Sequence, residues 1–201
     1  MAETTVLSSR ERMIRSTALL IRERGARATS IGAVLEHSGA PRGSVYHHFP
    51  GGREQLLQEA TDFAGRYIAG RLEQGSDVRP LGAIDSLFEE YRQDLVDSDF
   101  RAGCPIVAVA VEADQGGPDL HEHVLGAFDR SRRVLVRQLC DAGVDAERAD
   151  QLAMLLISGL EGALVLSRAY RDPAPLERMH AELREGVEAE IADANQRRVD
   201  R

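Results

Sequence analysis

The stretch GAPRGSVYHHF, Gly39 to Phe49, sets hydrogen-bonding side chains among turn formers. Arg42, Ser44, Tyr46 and His47 supply a guanidinium, a hydroxyl, a phenol and an imidazole in close succession. On a short helix they cannot all face a core. Val45 and Phe49, four residues apart, can turn inward against Val34, Leu35 and the preceding helix. The outward face then carries donors suited to a groove of DNA. Arginine takes a guanine edge bidentately, while hydroxyl, phenol and imidazole groups hold phosphates. Gly43, without a side chain, lets the backbone approach a base or a thymine methyl. A plain surface helix with a few rings packed on its neighbours satisfies the same spacing.

Other reactive side chains organise less well. His121 and His123 flank Glu122, but two residues apart on a helix they point away from each other, unlike the four-residue spacing of helical metal sites. Glu161 sits alone in an apolar run. No Gly-x-Ser-x-Gly, Cys-x-x-Cys or phosphate-binding loop occurs. These patterns argue against an enzyme and call for no metal and no cofactor. Cys104 precedes Pro105 at an expected helix start, where a thiolate is favoured, so a redox-sensing thiol competes with a small buried core residue.

Charge is distributed unevenly. Residues 1–53 hold eight Arg and four Glu, whereas residues 54–201 hold seventeen Arg and twenty-nine Asp plus Glu. A small basic head on a larger acidic body points to a polyanion at the head alone. The apolar share of 43% suits a soluble globular chain. The opening MAETTVLSSR has no secretory character, and apolar runs such as Leu152 to Leu160 are short of the roughly 18 residues a membrane span needs. Two cysteines, Cys104 and Cys140, form no disulfide framework. A cytoplasmic protein without a membrane partner is expected.

The periodicity is helical throughout. Ser8 and Ser9 cap a helix that Gly25 stops, and Thr29-Ser30 cap a second over IGAVLEHS, ended by Gly39. Pro41 opens a third from about Arg42 to Phe49, closed by Pro50-Gly51-Gly52. Three short helices with a glycine turn before the last outline a helix-turn-helix unit. Beyond it, helices are expected from Arg53 to the stop at Gly75, from Pro80, over CPIVAVAVEA, from Pro118 after the break at Gln115-Gly116-Gly117, across 147–170, and from Pro173 and Pro175 onward. The ends, 1–7 and 195–201, are expected to be loosely held. The fold class is all-α: a DNA-binding domain over 8–53 and a helical ligand-binding and dimerisation domain over 54–195.

The pattern TSIGAVLEHSGAPRGSVYHHFPGGREQLL resembles the DNA-binding head of the tetracycline-repressor (TetR) family of one-component regulators. Ala40 in place of valine, Arg53 in place of lysine and the doubled Gly51-Gly52 depart from the usual pattern. The segments GCPIVAVAVEA and GLEGALVLSRA resemble a subgroup that includes regulators of lincomycin and multidrug resistance. The resemblance implies base-edge contacts from Arg42, Gly43 and Ser44, and phosphate contacts from Tyr46 and His47, with His48 nearby and half buried. It also implies a phosphate grip from Ser30, or Thr29 beside it, and another from Arg53.

One such head reads too few base pairs to find a genomic site, so the partner expected is a palindromic DNA duplex bound by a homodimer. Gly159, Gly162 and Ala163, with Leu166 beyond them, permit close helix approach. With Met179, Leu183 and Val187 on the last helix they form a candidate four-helix interface across a two-fold axis. Completing the core of a single chain is the competing role for both stripes. Helices over about 54–142 are expected to surround a pocket for a small apolar or aromatic effector. Its candidate lining is Phe63, Tyr67, Phe88, Tyr91, Cys104 and Phe128, because the scarce aromatics gather there. A repressor released by that effector is the expected function, with a ligand-gated activator or a Cys104 redox sensor as alternatives.

Overall fold

The computed structural model describes residues 7–74, 81–112 and 117–199, with residues 117, 118 and 199 described by backbone alone. Among the described residues there are helices and no strands. The expected breaks at Gly75, Pro80, Gln115 and Gly116 lie outside them. The helices are α1 (Ser9–Arg24), α2 (Ile31–Ser38), a 3-10 turn (Arg42–Ser44), α3 (Val45–His48), α4 (Gly52–Gln74), α5 (Gly82–Asp97), α6 (Pro105–Ala110), α7 (Gly117–Asp141), α8 (Ala146–Tyr170) and α9 (Ala174–Val199).

Contacts divide the chain into two compact units, residues 1–64 with 105–127 and residues 65–104 with 128–201. The sequence division at residue 53 does not anticipate that 105–127, carrying α6, packs with the head.

In the first unit, α1 begins with a reciprocal cap. The Ser8 hydroxyl accepts from the Glu11 amide, and the Glu11 carboxylate accepts from the Ser8 amide. Such a box satisfies amide groups the helix start leaves open, and the serine bonds hold the Glu11 carboxyl below its usual range. Its apolar face, Met13, Ile14 and Leu20, meets Val34, Ala40, Val45, Phe49 and Leu56 in one buried cluster. Helix α6 packs on α1 within this unit.

The third helix differs from a regular two-turn α-helix. Its first three residues form the 3-10 turn and only Val45–His48 are α-helical. The extended ψ of 137° at Pro41 explains the tighter start, since the chain enters from an extended residue and closes with Ser44 N–H on Pro41 C=O at 2.9 Å.

In the second unit, α8 and α9 pack extensively against each other, and α5 packs on both. Asp145 caps α8 by accepting from the Arg148 amide, and Arg171 in the left-handed region ends it two residues before Pro173. Helix α9 continues through residues 195–199, so that part of the expected loose C-terminus is helical. Residues 1–6, 200 and 201 lie outside the described residues.

Candidate nucleic-acid interface

The tip is anchored from inside. Val45 and Phe49 are fully buried, and the Arg10 guanidinium lies over the Phe49 ring, 5.3 Å from its centre. Gly39 closes α2 in the left-handed region at φ 62°, where a side chain would be strained, and so turns the chain towards the tip. This anchoring leaves Arg42, Gly43, Tyr46 and His47 exposed, Tyr46 to 67%. A Cβ on Gly43 would meet nothing within 4 Å, so space rather than conformation marks this glycine.

Ser44 is half buried, and its hydroxyl donates to Pro41 C=O at 2.7 Å. Its oxygen remains an acceptor, which suits a base amino group better than a phosphate. His48 is half buried between its neighbours, edge-on to His47 at 5.0 Å and to Phe49 at 6.4 Å.

At the start of α2, Ser30 is exposed and accepts from the Ala33 amide at 3.2 Å. A helix start with spare amide groups and a serine is a ready phosphate site. Thr29 is placed otherwise. It is 2% exposed and its hydroxyl donates to Gly25 C=O at 2.8 Å, so burial removes it from any phosphate.

Arg53 is likewise redirected. Its Nε donates to Thr29 C=O at 2.9 Å and its Nη2 donates to Ala26 C=O. Guanidinium bonds to these carbonyls ahead of α2 hold the α1–α2 turn and occupy two of the five N–H donors, leaving Nη1 without an acceptor among the described residues. Arg53→Ala is therefore expected to lower unfolding stability by about 1–3 kcal/mol, the scale of charged hydrogen bonds. Denaturant unfolding checks this; unchanged stability with weakened DNA binding would instead restore a phosphate role.

The candidate effector residues are divided between the two units. Phe63 belongs to the first unit, packed against the head cluster under the Arg15 guanidinium at 5.6 Å. In the second unit, Tyr67 is 49% exposed and its hydroxyl donates to Glu90 at 2.6 Å. That carboxylate raises the phenol above its usual range. Phe88 stacks on His180 with ring centres 4.6 Å apart, and both border a cleft of about 230 Å³ between α5 and α9. Tyr91 and Cys104 are buried and Phe128 is half buried.

Glu161 has no place among the effector residues expected from sequence. It bonds to the Cys104 thiol, and its Oε2 is buried without a hydrogen-bonding partner among the described residues. Burial pushes its carboxyl up to about 7, with the thiol opposing the shift. The signal for it was an acid inside the apolar run from Leu160 to Leu164.

The candidate dimer residues separate by face. Ala163, Leu183 and Val187 are buried within the chain. A Cβ on Gly159 would lie 2.9 Å from Leu183 and 3.1 Å from Met179, so this glycine admits α9 against α8 of the same chain. Ala163, Leu183 and Val187 thus belong to one chain's core, while Gly159 and Met179 are half buried at its edge. Gly162 faces open space, and Leu166 is exposed. Met154, Leu155, Val165 and Tyr170 are exposed beside them, a set sequence reasoning missed.

Comparison with known proteins decides the family. Residues 14–60 match bacterial regulatory proteins of the tetR family, and residues 80–182 match the LmrA/YxaF-like transcriptional regulator C-terminal domain. The chain belongs to the TetR family of transcriptional regulators. It is 48% identical over 189 residues to the HTH-type transcriptional regulator Rv0196 of Mycobacterium tuberculosis, covering 92% of this chain and 96% of that one. It is 30% identical over 170 residues to the HTH-type regulator YxaF of Bacillus subtilis, covering 84% and 89%. A TetR regulator from Legionella pneumophila shares the fold with a TM-score of 0.82 at 22% identity, covering 91% of this chain and 99% of that chain. The chain is thus a TetR-family DNA-binding regulator and not an enzyme.

Proposed function

We propose that this regulator is a cytoplasmic homodimeric repressor that binds a palindromic operator with one α3 tip per half-site and leaves it when a small apolar or aromatic effector binds. The observation that carries the reading is the tip itself: two apolar anchors fully buried, with Arg42, Gly43, Tyr46 and His47 exposed. In this arrangement Arg42 reads a guanine edge, Gly43 allows close backbone approach, and Ser44 accepts from a base. Tyr46, His47 and Ser30 hold phosphates. Two tips about 34–36 Å apart match successive major grooves.

The uncovered apolar face of α8 supports the dimer. Leu155, Val165, Leu166 and Tyr170 are each about half exposed or more, beside the bare backbone of Gly162. Apolar surface of this kind is stabilised by a partner, and a two-fold axis lets the same face cover itself. Placed over a promoter, such a dimer blocks transcription by occupancy. Effector release requires the effector to favour the non-binding arrangement by several kcal/mol, about 5.5 for a near-complete switch. The buried aromatics Phe88 and Tyr91 and the half-buried Phe128 support an apolar effector. Burial of Cys104 disfavours the thiol sensor, because reactive cysteines sit partly exposed.

Two substitutions test the reading roles. Tyr46→Ala is expected to weaken binding to all duplexes alike and to reduce the salt dependence by about one phosphate contact. Arg42→Ala is expected to relax preference at one base pair per half-site, by about 1–3 kcal/mol. Fluorescence anisotropy with the duplex upstream of the chain's own gene and single-base variants reads both. Identical behaviour of the two variants would contradict the assignment.

A further inference from the structure

We propose that Glu112 is a positioning residue for DNA recognition: from the turn after α6, its carboxylate latches the α1–α2 turn and thereby sets the start of α2. The Arg27 backbone N–H donates to Glu112 Oε2 at 2.6 Å, across 85 residues of sequence. The other carboxylate oxygen lies against Gly25. A Cβ there would sit 2.5 Å from Glu112 Oε1, so a side chain at this position pushes the carboxylate out of its place. Gly25 also has φ 85°, which a side chain would strain.

The same turn is held from its carbonyl side by Arg53, on Ala26 and Thr29. Internally, the Thr29 hydroxyl closes on Gly25 C=O and the Thr29 N–H on Ala26 C=O at 3.1 Å. An anionic side chain thus takes an N–H of the turn while a cationic one takes its carbonyls. The turn ends directly at Ser30, the cap of α2 and a proposed phosphate contact. A small rotation of residues 25–29 redirects Ser30 and α2 together, and the tip follows through Gly39. A cleft of about 250 Å³ bordered by Ala26, Arg27, Arg53, Leu57 and Glu112 lies beside the latch. Loss of the carboxylate leaves room there for the turn to move.

The inference rests on the head's DNA-binding role, and the test separates the two. Binding of the full-length parent, Glu112→Ala, Glu112→Gln and Gly25→Ala to the duplex upstream of the chain's own gene is measured with their thermal unfolding. Removing a negative charge alone strengthens association with a polyanion, equally for Ala and Gln. The latch predicts the reverse for Ala: at least a tenfold loss of affinity, with the protein fully folded at the assay temperature. Glutamine keeps an acceptor for the Arg27 N–H, so Glu112→Gln binds within about threefold of the parent. Gly25→Ala displaces the carboxylate and strains the turn, so it also loses affinity, and parent-like binding by it overturns the latch. Parent-like or tighter binding by Glu112→Ala overturns the latch, as does a loss that merely tracks unfolding. Failure of the parent itself to bind any duplex instead removes the DNA-binding reading, and the latch with it.

Discussion

Leu155→Arg is expected to give a folded monomer that has lost operator affinity by a factor of roughly 10²–10⁴, the usual worth of linking two binding modules. Leu155 is 54% exposed on α8, so arginine there reaches solvent and disturbs little packing inside the chain. Surface changes of this kind shift stability within about 0.5 kcal/mol. In the proposed dimer the same side chain is buried against its two-fold counterpart, and two guanidinium groups would face each other without carboxylates. The head is untouched, so residual DNA binding should be that of one tip, weak and dominated by phosphates. Sedimentation measures the mass, and anisotropy the affinity. A Leu155→Arg protein that stays dimeric and binds as the parent does would remove α8 from the interface. Val187→Glu is the informative contrast. It strikes a residue 1% exposed between α8 and α9 of one chain and should unfold the protein rather than separate two copies.

Glu161→Gln is expected to stabilise the protein increasingly as pH rises. The Glu161 carboxyl sits at about 7 in the folded chain against an ordinary 4.5, because burial penalises its charge. The folded state therefore holds a proton that the unfolded state has already released between these values, and stability falls as pH rises through that window. Below pH 4.5 the penalty vanishes, and above 7 it levels off at about 3 kcal/mol. Glutamine fills the same space without charge at any pH. Between pH 5.5 and 8.5 the advantage of the variant should widen by about 2 kcal/mol, read as the difference between two denaturant titrations. An advantage independent of pH would mean that the carboxyl titrates as an exposed one.

The sequence reading succeeds where chemistry is local and stops where a partner decides. Gly39, Pro41 and the spacing of Val45 and Phe49 are local signals, and together they place the tip and its buried side. Ser30 and Thr29 are equally good caps in sequence. Only the packing of α1 against α2 decides that Thr29 turns inward. Arg53 shows its charge but not its destination, because the carbonyls it meets lie 24 and 27 residues away. Gly159 and Gly162 differ by nearly one helical turn, so periodicity alone cannot say which of them meets α9. The outcome is that Gly159 admits Leu183 and Met179 while Gly162 stays open. Glu112 carries no motif at all, since its partner is a backbone amide.

Helix α8 is long and apolar enough by composition to cross a bilayer, with a mean hydropathy of 1.6 over its most apolar window, of which 39% is buried. Its buried side packs on α9, and the proposed dimer would cover the other side with a second copy. Apolar character that a membrane reading would spend on lipid is here divided between one chain's core and the proposed interface.

The most direct measurement is the binding of purified protein to the duplex upstream of its own gene, as a function of salt and with the stoichiometry determined. Two chains per palindrome, with affinity falling steeply and linearly on a log–log scale as salt rises, is the predicted result. A monomer that ignores double-stranded DNA at low ionic strength would contradict it.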